Sequence, residues 1–172
     1  MEHLPCRVQD PPGSVERDHE ARRGGAIFKH ILVPTDGSER SEQAARFAVD
    51  LAKLHGARLT GIHVVPDFHL MIAYEGAFDP ATEEKIEREA LAKAEDYLGF
   101  IRKAAQDSLV PCDTVRATSD HPYDEIVKTA EQRGCDLIVM TSHGRRSIMS
   151  MLLGSETRKV LSHAKIPVLI VR

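Results

Sequence analysis

The chain has 172 residues and a formal net charge of −3, with 42% apolar and 28% charged residues. This length and composition are typical of one globular domain with a sizeable core, and the lack of a basic excess argues against a nucleic-acid-binding protein. Because no stretch reaches the roughly 20 apolar residues of a membrane helix and residues 1–29 carry no apolar run like that of a secretory signal, we expect a cytoplasmic protein with no membrane contact.

The first part of the chain differs in composition from the rest. Residues 1–27 hold three prolines and three glycines among many charged residues and few large apolar ones. Such a segment cannot bury enough apolar surface to offset the entropy lost on ordering. We therefore expect a disordered N-terminal tail over residues 1–27 and one folded domain over residues 28–172.

The first half of the predicted domain reads strand, helix, strand, helix. Residues 31–33 and 59–65 are apolar runs that predict buried strands. Ser38 predicts the cap of a helix that ends at Gly56, and a second helix is predicted over residues 82–105. Residues 67–80, between the second strand and this helix, have a length and position that permit a lid over a ligand without indicating one. The predicted apolar stripe of the first helix is Ala44, Phe47, Ala48, Leu51 and Leu54.

The second half repeats this alternation. Strands are predicted over residues 110–117, 136–140 and 166–171, with a helix from Pro122 to Gly134 and another from Gly154 through Leu161. Alternating strands and helices, with strands that are continuous apolar runs, predict an α/β fold whose parallel sheet is covered on both faces. Ligands of such sheets bind beyond the carboxyl ends of the strands, which are the loops after strands one, two and four.

The loop after the fourth strand has the features of an anion site. A helix that begins at Gly154-Ser155 offers free backbone N–H groups and the positive end of its dipole. Gly154 lacks the Cβ that would keep a phosphate from the backbone, and Gly144 lets the loop fold back over the same anion. The alternative is an ordinary helix start, in which Ser155 serves only as a cap.

The loop after the first strand carries Asp36 at the end of a buried strand. This position suits a hydrogen bond to a ribose hydroxyl, or a share in holding a metal ion with phosphates. An Asx-turn is the alternative interpretation.

No residue pattern indicates a catalytic centre. His143 has no serine or cysteine nucleophile motif beside it, and the chain lacks both the P-loop and the GxGxxG motifs. The scattered histidines and cysteines show no metal-ligand spacing. The residues therefore argue against a P-loop motor, an NAD enzyme and a dedicated metal site.

Five segments together resemble universal stress proteins, in that family's order: residues 31–39, 63–65, 135–140, 142–155 and 166–171. The resemblance covers residues 29–172. It implies a doubly wound sheet of five parallel strands in the order 3-2-1-4-5, as in adenine nucleotide alpha hydrolases, and a homodimer that pairs the last strands, residues 166–171.

The resemblance also implies an ATP-binding motif with one departure. The ATP-binding branch carries a glycine, two residues, a second glycine, nine residues, and a glycine followed by serine or threonine. Gly144, Gly154 and Ser155 match this motif, whereas Thr141 replaces the first glycine. The nucleotide-binding residues so implied are Pro34, Thr35, Asp36, Val64, Thr141, Ser142, His143, Gly144, Arg145, Gly154, Ser155 and Glu156.

Within this set, the backbone of Val64 is expected to contact the adenine edge. Arg145 and its neighbour Arg146 could screen phosphate charge, or they are an ordinary solvated surface. The implied ligand is ATP or AMP, with Asp36 as the one residue that could share a nucleotide-bound Mg²⁺.

Three functions follow from this pattern. The first is a stress-response regulatory protein that binds an adenine nucleotide. The second, which Thr141 favours, is a dimeric protein-interaction module without nucleotide. The third is a slow ATP hydrolase, for which the chain offers no evident general base.

Overall fold

The computed structural model describes residues 26–67, 80–144 and 153–172. Most of the predicted tail and most of residues 67–80 lie outside these residues. The described elements, in chain order, are β1 (His30–Pro34), α1 (Glu39–His55), β2 (Arg58–Val65), α2 (Pro80–Asp107), β3 (Cys112–Thr118), α3 (Pro122–Arg133), β4 (Leu137–Thr141), α4 (Ser155–His163) and β5 (Val168–Val171).

The strands form one five-stranded sheet in the order β3-β2-β1-β4-β5. All four strand pairs are parallel, which confirms the predicted fold class and strand order. Apolar side chains pack in two clusters, one with α1 and α2 and the other with α3 and α4. The buried strands therefore contribute to a core on each face of the sheet, as their continuous apolar runs predict.

Local signals set the ends of the helices. Ser38 accepts a hydrogen bond from Ser41 N at the start of α1, and Gly56 ends that helix at φ 62°. Gly134 ends α3 at φ 64°. Both glycines occupy the left-handed conformation that disfavours other residues, so the predicted ends of these two helices are confirmed.

The predicted stripe of α1 is partly wrong. Ala44 and Ala48 are buried, but Phe47 is 45% exposed and Leu54 is 80% exposed. The face on the sheet also contains Ala45, Val49 and Ala52. These small side chains let the helix lie close to the sheet. Leu51 packs against the core while partly exposed, and Phe47 and Leu54 stay outside it.

None of the helices that the structure describes combines the length and apolarity of a membrane span.

Candidate functional site

The sheet order brings the loops after β1 and β4 side by side. β1 lies between β2 and β4 in parallel register, so its carboxyl end opens between theirs. The start of α4 is fixed to the end of β4 by two hydrogen bonds. Gly154 N donates to Ser142 O at 2.9 Å, and Thr157 Oγ1 donates to Thr141 O at 3.1 Å. A helix start and two strand ends therefore share one edge of the sheet, as the sequence predicts.

Asp36 and Gly144 join the two loops. Asp36 Oδ1 accepts hydrogen bonds from Ser38 N at 3.1 Å and Ser38 Oγ at 2.6 Å, which is the Asx-type geometry that the sequence left open. On the other side of the carboxylate, a Cβ added to Gly144 would lie 2.5 Å from Asp36 Oδ2. Gly144 is therefore needed for this close approach.

The hydrogen-bonding groups of Thr35 stabilise the loop that carries Asp36. Its N–H donates to Ile62 O at 2.9 Å, and its hydroxyl accepts from Gly37 N at 3.1 Å. Because Ser41 Oγ donates its proton to Ser38 O, the Thr35 hydroxyl must donate to Ser41 Oγ, 3.0 Å away. The Thr35 side chain thus shapes the turn beside Asp36 from a buried position.

The start of α4 offers backbone donors, although not from Gly154. Its N–H is used by Ser142 O, and the first backbone bond of the helix runs from Arg158 N to Gly154 O at 3.0 Å. The amides of the three residues between, Ser155 to Thr157, have no acceptor within the helix. These three amides form the anion-attracting end of α4.

The lack of a side chain at Gly154 also matters for packing within the protein. A Cβ on Gly154 would lie 3.3 Å from Ser142 O and 3.6 Å from His143 Cα. The missing side chain therefore makes room for the loop after β4, and this packing brings the helix start to the strand end.

Thr141 stabilises that loop from within. Its hydroxyl donates to His143 O at 3.1 Å and accepts from His143 N at 3.4 Å, while the residue itself is 9% exposed. The side chain that replaces the first motif glycine thus closes a turn on its own loop. His143 Nδ1 lies 3.0 Å from the buried Ser142 Oγ, so the two residues that follow Thr141 are also bonded to each other.

Glu156 connects α4 to α3. Its Oε2 accepts from Tyr123 N at 3.0 Å, and its Oε1 pairs with Lys159 Nζ at 2.9 Å. Since His121, the cap residue of α3, makes no side-chain cap bond, the carboxylate of Glu156 caps α3 from a neighbouring helix. Its oxygens face α3, whereas its backbone amide belongs to the anion-attracting end.

Val64 presents backbone groups at the same edge. Ile62 O points towards β1, where it accepts from Thr35 N, and Val65 O points towards β3, where it accepts from Ser119 N. Backbone N–H and C=O groups of strand residues two apart point to the same side, so those of Val64 face the β1 side, as those of Ile62 do. Val64 follows Ile62, which with Pro34 is the last residue pair of β1 and β2. Arg145 and Arg146 lie outside the described residues.

Two ring side chains that are absent from the predicted site residues lie beside the first loop. His63 Nδ1 lies 2.7 Å from Thr35 O, and the His63 ring meets the edge of Tyr97 with centroids 5.2 Å apart. His63 stands two residues before the end of β2, so its position was visible in the sequence. Tyr97 lies in the middle of α2, and no local signal connects it with this loop.

A model of the universal stress protein family matches residues 27–172. The universal stress protein MJ0531 of Methanocaldococcus jannaschii is 34% identical over 152 residues, which cover 88% of this chain and 86% of that protein. The solved structure of MJ0577 from the same organism has a TM-score of 0.68 at 32% identity and covers 84% of this chain and 96% of its own. A universal stress protein solved in complex with cAMP has a TM-score of 0.54 at 26% identity, covering 84% and 97%.

Proposed function

Because the chain belongs to the universal stress protein family, we propose that it is a regulatory protein that binds an adenine nucleotide, ATP or AMP, at the carboxyl ends of β1, β2 and β4. The observation that carries this proposal is the hydrogen bond that holds the start of α4 at the end of β4, next to the contact between Asp36 and Gly144. A structural neighbour that holds cAMP supports an adenine nucleotide as the class of ligand.

The phosphates fit the start of α4. The amides of Ser155, Glu156 and Thr157 are donors without helical acceptors, and the helix dipole favours negative charge at this end. The Ser155 hydroxyl is exposed and adds a further donor. The three amides and the hydroxyl bind phosphate oxygens, and Gly154 holds them at the end of β4.

The nucleoside lies towards the other strands. Asp36 provides a carboxylate oxygen for a ribose hydroxyl, and the backbone of Val64 pairs with the adenine edge. The remaining predicted contacts, Pro34, Thr35, Thr141, Ser142, His143 and Gly144, form the wall of this site. Arg145, which lies outside the described residues, is kept in the proposal as a residue that screens phosphate charge.

A Mg²⁺ ion would share its ligands with the nucleotide. The described residues contain no group of three or more His, Cys, Asp or Glu side chains arranged to hold a metal. Asp36 alone offers one carboxylate, so most of the six oxygens that Mg²⁺ prefers would come from phosphates and water. Such an ion would bind together with the nucleotide, with Asp36 as the protein's ligand, and it would supply positive charge to offset that of the phosphates.

The dimer uses residues 166–171. β5 is bonded to β4 on one side and ends the sheet on the other, and its four residues are all apolar and partly exposed. Such an uncharged edge strand readily pairs with another chain. A second copy, related by a two-fold axis, closes this edge. A cytoplasmic location belongs to the same proposal.

The alternative of a protein-interaction dimer without nucleotide draws on Thr141. Its hydroxyl closes the turn on His143, at the position where the ATP-binding branch carries glycine. In this alternative, the turn occupies the room that a ribose needs.

Two substitutions at one position test the phosphate placement. Ser155→Pro removes both the hydroxyl and the N–H, yet proline suits a first helical position, and Gly154 has the extended backbone, φ −54° and ψ 154°, that precedes proline. Ser155→Ala removes only the hydroxyl. Calorimetric titration with ATP, AMP and Mg²⁺ should show about tenfold weaker binding for Ser155→Pro and a smaller loss for Ser155→Ala.

The unsubstituted protein decides between the candidate functions. Mass spectrometry of the small molecule that copurifies should find an adenine nucleotide. No heat and no thermal stabilisation at millimolar ATP or AMP would leave the protein-interaction dimer as the better function. A phosphate-release rate that Ser155→Pro leaves unchanged would exclude hydrolysis at this site.

A further inference from the structure

His63 makes a short hydrogen bond to the loop that carries Asp36. Its Nδ1 lies 2.7 Å from the carbonyl oxygen of Thr35. A carbonyl oxygen can only accept, so Nδ1 carries the proton and donates. The peptide that links Thr35 to Asp36 is therefore held at its oxygen by a side chain from the neighbouring strand.

This bond also sets the direction of the Asp36 amide. The described chain has no cis peptide bonds, so the N–H of Asp36 points opposite to the carbonyl of Thr35. With that carbonyl turned to His63, the N–H points away from the His63 ring. This hydrogen bond thus orients the backbone donor of Asp36 and fixes the peptide from which its carboxylate extends, while Ser38 holds the carboxylate itself.

Tyr97 holds the same turn from α2. Its ring meets the His63 ring edge-on, at an interplanar angle of 79°. A Cβ on Gly37 would overlap the Tyr97 ring, and Gly37 has φ 72°, a conformation that favours glycine. His63 therefore contacts the segment from Thr35 to Gly37 at its first residue, and Tyr97 contacts it at its last.

We propose that His63, backed by Tyr97, is a positioning residue of the nucleotide site that holds Asp36 in its place against Gly144. This inference rests on the proposed nucleotide binding. His63 acts through the Thr35–Asp36 peptide and does not touch the ligand. Its role is specific to the Nδ1–H donor, which distinguishes it from a side chain that merely fills the space under α2.

Two substitutions separate the donor from the bulk. His63→Asn places an amide N–H where Nδ1 stands, whereas His63→Leu keeps apolar volume and has no donor. Titrating each variant with ATP and AMP, we expect about tenfold weaker binding for His63→Leu, the effect of one lost hydrogen bond, and a loss of less than about threefold for His63→Asn.

His163→Leu is a matched control. His163 Nδ1 lies 2.7 Å from Lys159 O, a bond of the same length, but at the exposed C-terminal end of α4. This variant should bind nucleotide like the unsubstituted protein. If His63→Leu binds equally well, or if His63→Asn binds as weakly as His63→Leu, the proposal is overturned.

Hydrogen exchange of the ligand-free protein tests the positioning independently of binding. The Gly37 amide, bonded to Thr35 Oγ1 at 3.1 Å, should exchange faster in His63→Leu than in His63→Asn, while the Ser142 amide, bonded to Val171 O, keeps its rate. If the unsubstituted protein binds no nucleotide, the proposed function fails. Equal Gly37 exchange in both variants would instead refute the role of His63.

Discussion

The carboxylate of Asp36 lies so close to Gly144 that a Cβ on Gly144 would come to 2.5 Å from Asp36 Oδ2. The two residues are far apart in the chain, and they meet because β1 and β4 are neighbours in the sheet. Each loop has its own internal hydrogen bonds, and this contact makes their positions depend on each other. A methyl group added at Gly144 should therefore displace the carboxylate of Asp36.

Gly144→Ala should weaken nucleotide binding with little effect on the fold. The added methyl group must push the Asp36 carboxylate away, and we expect a loss of about tenfold in affinity for ATP or AMP, the effect of one misplaced polar contact. Calorimetric titration measures this loss. Gly99→Ala is the control, because a Cβ there meets only Arg102 Nη2 at 3.8 Å. It should leave affinity unchanged and raise helix stability by about 0.5–1 kcal/mol. Equal affinities in the two variants would contradict the proposed part of Asp36.

Thr141→Gly should raise ATP affinity if the threonine side chain occupies room that the ribose needs. The same substitution removes both hydrogen bonds to His143, so the free energy of unfolding should fall by about 1 kcal/mol. Thr141→Ser keeps the hydroxyl and loses only the methyl group, so it should retain most of this stability. Titration with ATP and urea unfolding separate the two effects. ATP affinity that is lower in Thr141→Gly than in the unsubstituted protein would show that the turn supports the site.

Glu156→Ala should destabilise the protein more than it affects nucleotide binding. The carboxylate caps α3 through Tyr123 N, and loss of a helix cap costs about 1 kcal/mol. Glu156→Gln keeps an oxygen acceptor and should recover most of this loss. Urea unfolding gives the stabilities, and titration should find nucleotide affinity within about threefold for Glu156→Gln. A larger loss of affinity in Glu156→Gln would mean that the carboxylate itself serves the ligand.

His30 should make the protein less stable in mild acid. Burial, followed by the charge of Arg58, lowers the pKa of His30 below its ordinary value of 6.5. Nδ1 donates to Arg133 O, so Nε2 accepts from the Thr60 hydroxyl, 2.8 Å away. In acid, Nε2 of His30 takes up a proton, and it does so at a higher pH in the unfolded chain than in the folded chain. The free energy of unfolding therefore falls as the pH drops below 6.5.

Urea unfolding between about pH 5 and pH 8 checks this dependence. His30→Gln, which cannot take up a proton, should flatten this part of the profile although it lowers stability overall. A slope that survives in His30→Gln would assign the acid sensitivity to another group.

The sequence was most informative where local chemistry sets the structure. Apolar runs located β1, β2, β4 and β5, whereas β3 (Cys112–Thr118) has no such run. Ser38, Gly56 and Gly134 located the helix ends, because caps and left-handed turns depend on adjacent residues. It was least informative about packing depth. The buried face of α1 could not be read from residue size, since alanines lie against the sheet while Phe47 and Leu54 face outwards.

The sequence by itself determined the family, the alternating fold and the two loops that carry Asp36 and the Gly154-Ser155 helix start, since these depend on short runs of adjacent residues and on the order of those runs along the chain. Only the tertiary structure decided how these runs meet. It placed Asp36 against Gly144, turned the carboxylate of Glu156 to α3, and set His63 and Tyr97 beside the first loop. These contacts join residues from different strands and helices. They depend on strand order and helix packing, and no single stretch of sequence contains that information.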